Sequence, residues 1–176
     1  MTEAAGGAKG RAPLWALVVA TGLGSGNAPV ASGTFGTAAC AILMFPFRGW
    51  LGPIADATIA VLLTVLAILS ADVVCKAIRI KDPKIVVIDE FAGFAVTLAF
   101  LPKSWPWFLA AFFVFRALDV VKPPPCRRLE HLPGGVGIVL DDVMAGIYGC
   151  LLLHAIRFIL PRLLPGFAGE WHVTAP

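Results

Sequence analysis

Five acidic residues stand within or at the ends of otherwise apolar segments. They form two adjacent pairs, Asp89 with Glu90 and Asp141 with Asp142, and one single residue, Asp119. Carboxylates held close together in or beside a membrane are costly, because each raises the pKa of the others, and a bound cation relieves the repulsion. The chain has only 3 histidines, so the available ligands are oxygens, which favours Mg²⁺ or Mn²⁺ over zinc or copper. We therefore interpret the acids as a Mg²⁺ site, although either pair alone also fits a solvated helix start, where the helix dipole favours negative charge.

Two basic residues accompany the single acid. Arg116 lies three residues before Asp119, which places both on one face of a helix, and Lys122 follows before three prolines end the segment. An arginine in an apolar run beside an acid cluster suits an anionic phosphate, and a lysine adds a point charge. The alternative is a structural ion pair between Arg116 and Asp119. Asp72 and Lys76, four residues apart, fit a simple ion pair.

A glycine-rich segment, residues 22–37, precedes the first long apolar stretch. Its glycines allow backbone N–H groups to approach phosphate oxygens, and we expect Thr34 or Thr37 to cap the following helix, whose N-terminus would bind an anion. A flexible loop is the alternative. The segment follows no strand and lacks a Gly-Lys-Ser/Thr ending, which excludes a dinucleotide fingerprint and a P-loop.

The composition predicts a compact, membrane-embedded bundle of helices. Of the 176 residues, 59% are hydrophobic and 14% are charged, and the mean hydropathy is +0.86, outside the range of ordinary soluble domains. Strand-like alternation is lacking, so we expect an all-α fold. Gly, Pro and charged residues divide the apolar sequence into five predicted helices, at 35–47, 54–75, 85–101, 105–121 and 138–160. The second and fifth have the roughly 20 residues that a spanning helix needs, whereas the first spans only if it extends back through residues 14–20.

The third helix is expected to begin at Asp82 and Pro83, a capping residue followed by a proline suited to the first turn. In this register Gly93 lies one turn beyond the first acid pair and leaves a bare patch of helix, where a ligand could approach closely. The fifth helix repeats the arrangement, because Asp142 precedes Gly146 by four residues.

The length fits a single domain. We divide the chain into an N-terminal arm (1–13), a helical domain (14–160) and a tail (161–176). The arm lacks the continuous apolar core and the cleavage site of a signal peptide, so we expect it to be retained. The 4 cysteines have neither zinc-site nor disulfide-framework spacing. A scattered net charge of +3 excludes a nucleic-acid-binding surface.

Basic residues divide unevenly between the two predicted sides of the membrane. Nine lie in the arm and in the loops 76–84 and 122–128, and four lie on the opposite side. Because loops rich in Lys and Arg face the cytoplasm, the acid pairs, Asp119 and Asp72 would all lie at the cytoplasmic face. Asp56 falls on the opposite side, where its replacement should be nearly silent.

Four separated motifs resemble those of one known family, the bacterial phosphatidylglycerophosphatase A enzymes. In chain order they are ATGLGSGNAPVASGTFGT, DPKIVVIDEFAG, FRALDVVKPPP and GGVGIVLDDVMAG, and the match covers about residues 20–155. The chain departs from the family pattern at Ser32 and Pro124, where proline and tryptophan are usual. The acidic and basic positions are unaltered.

The resemblance implies an all-helical protein of the bacterial inner membrane that hydrolyses phosphatidylglycerophosphate to phosphatidylglycerol and phosphate, with Mg²⁺ as cofactor and the active site on the cytoplasmic face. The five acids would be both catalytic and metal-binding. Either water would attack phosphorus, or an acid such as Asp142 or Asp89 would attack directly. The residues that would bind the substrate phosphate are Gly33, Thr34, Arg116 and Lys122.

An ion-coupled membrane transporter is the competing interpretation, because intramembrane acids also bind coupling cations. It requires acids near the membrane midplane, whereas here they gather at one end. A CDP-alcohol phosphotransferase would need an Asp-Gly-x-x-Ala-Arg motif, which the sequence lacks. The sequence is compatible with a homo-oligomer.

Overall fold

The computed structural model describes residues 11–163, and within this range the chain is all-helical and contains no strand. This confirms the predicted fold class. Residues 1–10 of the predicted arm and 164–176 of the predicted tail lie outside the described residues. The helices are α1 (Leu14–Ala20), α2 (Ser32–Arg48), α3 (Pro53–Ile78), α4 (Ile88–Thr97), α5 (Trp105–Val121), α6 (Cys126–Leu129) and α7 (Gly134–Leu163). The five predicted helices correspond to α2, α3, α4, α5 and α7, and α1 is a separate short helix rather than an extension of α2.

The third predicted helix is shorter than its apolar stretch. The prediction that it begins at Asp82 and Pro83 is wrong, because these residues form a turn before α4. The backbone N–H of Val86 donates to the carbonyl of Pro83 (2.8 Å), and that of Val87 donates to the carbonyl of Ala20 (2.8 Å). The second bond ties the segment to the end of α1, so a tertiary contact takes the place of the first helical turns.

Helix α4 forms the centre of the fold. Eight of its ten residues are buried, and ten residues advance a helix by only about 15 Å, roughly half the hydrocarbon core of a bilayer. It therefore lies among the longer helices. Phe94 packs against three rings of α5, those of Phe108, Phe112 and Phe115, with centroid distances of 5.5, 6.1 and 6.2 Å.

Helices α4 and α7 meet where a glycine of each lies against the other's backbone. A Cβ atom on Gly93 would lie 2.6 Å from the carbonyl oxygen of Asp142 and 2.5 Å from the ring of Phe115, and one on Gly146 would overlap the carbonyl oxygen of Gly93. Thr97 Oγ1 donates to the carbonyl of Gly93 (2.9 Å) and also contacts that of Gly146 (3.3 Å). The expectation that Gly93 leaves room for a ligand is therefore wrong, because neighbouring helices fill the space.

A buried polar cluster lies where α2 ends and α3 begins, at the end of the molecule opposite to the start of α4. Arg48 and Asp56 are each 2% exposed, with 4.0 Å between Nη1 and Oδ2, and Lys103 also pairs with Asp56. Arg48 Nη2 donates to the carbonyls of Leu98 (3.1 Å) and Leu101 (3.3 Å). These contacts join the end of α2 to the start of α3 and to the connection between α4 and α5. We therefore expect replacement of Asp56 to lower the stability of the fold.

Within the part of the chain that the structure describes, two helices are long and apolar enough to cross a membrane: α3, and α7 over Gly134–Ile159. Large apolar side chains also cover the outer surface of α3, including Ile54, Val61, Leu62, Val65 and Leu69, all of them exposed. A soluble monomer rarely exposes an apolar surface of this extent. These two features indicate a membrane-associated protein.

Candidate active site

Three carboxylates from two helices converge on one point. Asp89 and Glu90 lie in the first turn of α4, and Asp142 lies in α7. One carboxylate oxygen of each lies within 4.8 Å of the other two. The helices can approach this closely because Gly93 and Gly146 each follow an acid of this group by one turn and form the helix crossing. We call these acids the three-carboxylate cluster.

The other two predicted acids pair with the two predicted basic residues. Asp141 Oδ2 lies 2.6 Å from Lys122 Nζ, and Asp119 Oδ2 lies 2.8 Å from Arg116 Nη1. Arg116 Nη1 also lies 3.8 Å from Glu90 Oε1, and both Asp119 and Asp141 line the same cavity as the three acids, so the ion pairs border the three-carboxylate cluster. The structure brings all five acids to one end of the bundle but divides them into a cluster of three and two ion pairs.

Arg116 lies between three helices. Besides Asp119 on α5, its Nη1 lies 3.8 Å from Glu90 Oε1 on α4 and donates a hydrogen bond to Thr37 Oγ1 on α2 (3.4 Å). Thr37 is fully buried, and its hydroxyl donates to the carbonyl of Gly33 (3.0 Å). Because α2 begins at residue 32 with no side-chain cap, the prediction that a threonine caps it is wrong. Thr37 instead positions Arg116.

The glycine-rich segment reaches the site through the first turn of α2. A Cβ atom on Gly33 would overlap Glu90 Oε1 and lie 3.2 Å from Arg116 Nη1, so only glycine allows this contact without a shift of either side chain. Thr34 is exposed and does not line the cavity described below, whereas Ser32 does. A phosphate-binding role for Gly33 or Thr34 stays a prediction.

The surroundings of Asp89, Glu90 and Lys122 raise the pKa of each of these three groups. Burial raises the pKa of Glu90 to about 7, and the charge of Asp142 adds to this increase while Arg116 opposes it. Burial and the charge of Glu90 likewise raise the pKa of Asp89 well above its ordinary value. Although burial acts in the opposite direction, the hydrogen bond and charge of Asp141 raise the pKa of Lys122, which stays protonated.

A cavity of about 240 Å³ lies against the three-carboxylate cluster. Buried acids line its inner end, and the exposed residues Lys81, Asp82 and Lys84, from the turn before α4, line its mouth. Lys122 also lines the cavity. The cavity thus combines an acidic interior with two lysines and one aspartate at the opening, an arrangement that suits a cation bound together with a phosphate.

The residues present fit a bound Mg²⁺ ion. Glu90 Oε2 and Asp141 Oδ1 are buried and, among residues 11–163, have no hydrogen-bond partner. Buried polar atoms without partners are rare in folded proteins and often mark a bound ion or water. The cluster offers carboxylate oxygens only, the ligands that Mg²⁺ prefers, with no histidine or cysteine to favour zinc.

The family can be assigned by comparison with known proteins. The model of the family described as phosphatidylglycerophosphatase A matches residues 18–157. The chain belongs to this family. It is 37% identical over 147 residues to phosphatidylglycerophosphatase A of Haemophilus influenzae, covering 80% of this chain and 88% of the relative. The Escherichia coli protein of the same name is 34% identical over 150 residues, covering 81% and 83%.

A third relative is also named as a phosphatase of a phospholipid, but with a different substrate. The Bacteroides thetaiotaomicron protein named "Putative phosphatidylinositol-3-phosphatase" is 35% identical over 153 residues, covering 82% of this chain and 94% of the relative. No solved structure matches the chain. Membership of the phosphatidylglycerophosphatase A family confirms the resemblance of the four motifs and makes the chain an enzyme, a phosphatase. It decides against the transporter alternative.

Some residues of the site were missed by sequence reasoning. Thr37 was considered only as a helix cap, although its spacing of four residues from Gly33 in a helix predicts the bond it makes. Lys81 and Lys84 were counted only for membrane orientation, although Lys84 lies within one of the four motifs. They lie at the mouth of the cavity because the segment before α4 forms a turn. The sequence predicted a helix start at Asp82 and Pro83 instead, so this turn was not predicted.

Proposed function

We propose that this protein is a Mg²⁺-dependent phosphatase that removes the terminal phosphate of phosphatidylglycerophosphate and leaves phosphatidylglycerol. The names of the H. influenzae and E. coli relatives support the substrate. The three-carboxylate cluster is the observation that carries the proposal, because Asp89, Glu90 and Asp142 place oxygens within 4.8 Å of one another beside a cavity with basic residues at its mouth.

In this proposal the cluster holds the metal. When bound, Mg²⁺ lowers the pKa of water and neutralises charge on the phosphoryl group. Arg116 is already within 4 Å of Glu90, so a phosphate oxygen near the cluster comes within reach of its guanidinium, which suits planar, bidentate binding. Asp142 either accepts a proton from the water that attacks phosphorus or attacks phosphorus itself. In both routes the bond from phosphorus to the glycerol oxygen breaks and phosphatidylglycerol leaves. In the second route water then hydrolyses the phosphorylated aspartate.

Lys122 supplies a second positive charge. Its ammonium lies 2.6 Å from Asp141 and 3.5 Å from Glu130, and it lines the cavity. A phosphate oxygen can therefore approach it while Asp141 keeps it in place. In our proposal Lys122 and Arg116 orient the phosphate on opposite sides of the acids.

We further propose that the enzyme lies in the bacterial inner membrane with this site at the cytoplasmic face. The asymmetry of nine basic residues against four supports the orientation. The two long apolar helices, α3 and α7, support insertion.

Phosphate release by the purified protein tests the function. The protein in uncharged detergent micelles should release phosphate from phosphatidylglycerophosphate with Mg²⁺, stop when excess EDTA is added, and recover when Mg²⁺ is restored in excess. Asp142→Asn, purified in the same way, controls for a contaminating phosphatase. Full turnover in EDTA by metal-free protein would contradict the metal's role, and no release under any condition would contradict the substrate.

A phosphoinositide is the second candidate substrate, because it is named for the B. thetaiotaomicron relative. Phosphatidylinositol 3-phosphate should be assayed in the same micelles. A kcat/KM above that for phosphatidylglycerophosphate would favour it.

A further inference from the structure

Two exposed lysines lie at the mouth of the cavity, on either side of Asp82 in the sequence. Lys81 and Lys84 are exposed and line the cavity, and among the described residues neither side chain forms an ion pair or a hydrogen bond. Lys122, which also lines the cavity, and Arg116, which does not, each pair with a carboxylate. Among the described residues that line the cavity, the lysines without a carboxylate partner therefore lie at its opening.

The segment that carries these lysines is firmly held. Val86 and Val87 are buried, and their N–H groups bond within the turn and to the end of α1. A Cβ atom on Gly26 would overlap the carbonyl oxygen of Ile85, so the glycine-rich segment packs directly against this turn. The lysines thus extend from a fixed backbone, which limits where their ammonium groups can lie.

The proposed substrate has a second anionic group to place. Phosphatidylglycerophosphate carries a terminal phosphate monoester, which is released, and a phosphodiester, which joins the headgroup to diacylglycerol. With the monoester at the three-carboxylate cluster, the diester lies one glycerol unit away, toward the mouth of the cavity. We propose that Lys81 and Lys84 bind this phosphodiester and so select lipids that carry a second phosphate. The assignment rests on the proposed function.

The expected effect is on binding rather than on chemistry. The diester is unchanged in the reaction, so its contacts stabilise the bound substrate and the transition state equally and act on KM rather than kcat. Both lysines are exposed, where a charge contact is worth little, but they also offset the acidic interior, which would otherwise repel an anion. We expect removal of both to lower kcat/KM about tenfold, which corresponds to about 1.4 kcal/mol.

The test compares two lipids in the same uncharged micelles: phosphatidylglycerophosphate, which has the diester, and phosphatidic acid, which has only the monoester. In the double variant Lys81→Ala, Lys84→Ala, the ratio of their kcat/KM values should fall ~10-fold through a higher KM for phosphatidylglycerophosphate. If phosphatidic acid is not turned over, its inhibition constant takes the place of its kcat/KM. The double variant Lys81→Arg, Lys84→Arg should keep the wild-type ratio.

A matched control removes two charges from the same end of the protein. Arg127 and Arg128 are exposed and do not line the cavity, so replacing both with alanine should leave the ratio unaltered. Equal losses on the two lipids in the lysine variant would overturn the assignment. So would a loss seen only on anionic vesicles, because the lysines would then bind the membrane surface. If the wild-type protein turns over phosphatidylglycerophosphate but the lysine variant keeps the wild-type ratio of kcat/KM values, this assignment alone is overturned. If the wild-type protein is inactive on phosphatidylglycerophosphate, the proposed function is overturned as well.

Discussion

Asp141 and Asp142 are adjacent in α7, yet their carboxylates contact opposite kinds of group. Asp141 lies 2.6 Å from the ammonium of Lys122, whereas Asp142 shares the three-carboxylate cluster. Adjacent residues of a helix point about 100° apart, so one turn of α7 presents one acid to a base and the other to acids. The two residues should therefore respond differently to the same substitution.

Asp142→Asn should lower turnover by at least ~10²-fold, about 2.7 kcal/mol of transition-state stabilisation, because the amide keeps the shape of the side chain but loses its charge. The fold should survive, since removing one of several crowded carboxylates relieves repulsion. Asp141→Asn should cost about tenfold, because its main contact is Lys122. Steady-state kinetics and melting temperatures of the purified variants check this.

The control for these variants is Asp82→Asn. Asp82 is exposed at the mouth of the same cavity and belongs to neither ion pair, so replacing it should leave kcat nearly unaltered. Wild-type activity of folded Asp142→Asn, or an equal loss in Asp82→Asn, would place the chemistry elsewhere.

The bounds of a helix could be predicted from the sequence where the helix coincides with a continuous apolar stretch. The predicted bounds 105–121 are those of α5, and 54–75 lies within α3. The start of α4 could not be predicted, because the local signal at Asp82 and Pro83 competes with the bond from Val87 to Ala20, a contact between residues far apart in sequence. The helix propensity of a segment depends on its own residues and does not report a tertiary contact of this kind.

The site could be predicted in its residue types but not in its partners. The five acids were identified because charge in an apolar segment is conspicuous. Which of them share a cluster depends on how α4 crosses α7, and that crossing depends on the backbone contact between Gly93 and Gly146. The sequence pattern instead suggested that Gly93 leaves space for a ligand.

Metal affinity should fall as the pH falls below about 7. Burial raises the pKa of Glu90 to about 7, and the metal binds the ionised carboxylate, so protons and Mg²⁺ compete for the same oxygens. Isothermal titration with Mg²⁺ at pH 6 and pH 8, in buffers of different ionisation enthalpy, should show weaker binding and more proton release at pH 6. Equal affinity and no proton release would show that Glu90 is not a ligand.

The metal-free protein should lose stability as the pH rises. Glu90 has an ordinary pKa of 4.5 and a folded-state pKa of about 7, so between these values the folded state binds more protons than the unfolded state. The free energy of unfolding therefore falls as the pH rises from about 4.5 to about 7. Saturating Mg²⁺ should reduce this fall, because it stabilises the ionised form. Melting curves with and without Mg²⁺ measure both trends, and a metal-free protein whose stability rises over this range would contradict the raised pKa.

Gly93→Ala should disturb both stability and activity. Its Cβ would lie 2.6 Å from the Asp142 carbonyl oxygen and 2.5 Å from Phe115, so α4 and α7 must separate, at a cost of about 1–3 kcal/mol. The same separation pulls the three carboxylates apart and should weaken Mg²⁺ binding. Gly49→Ala is the matched control, because nothing lies within 4 Å of its Cβ position. Equal stability and metal affinity in the two variants would show that the crossing does not set the geometry of the cluster.

Asp56→Asn should lower stability while leaving metal binding intact. Asp56 is buried with Arg48 and Lys103, and removing one partner of a buried ion pair leaves an uncompensated charge, at a cost of about 3–5 kcal/mol. The three-carboxylate cluster lies at the other end of the bundle, so the Mg²⁺ affinity of the protein that stays folded should be unaltered. Denaturant titration and isothermal titration separate the two effects. A wild-type stability would show that the buried pair contributes nothing.

The membrane orientation can be read from two engineered cysteines. Cys40, Cys75 and Cys126 are buried and Cys150 is half-buried, so both variants are made in a Cys150→Ser background, which should react little with an impermeant maleimide. Lys81 lies at the mouth of the cavity, and Trp50, 92% exposed, follows α2 at the opposite end of the molecule. If the nine-to-four asymmetry of basic residues sets the orientation, Trp50→Cys should react in intact cells, and Lys81→Cys should react only after the inner membrane is permeabilised. The reverse pattern would place the cavity on the outer side and remove the argument for a cytoplasmic substrate. If neither cysteine reacts before permeabilisation, the chain does not expose Trp50 on the outer side of the membrane.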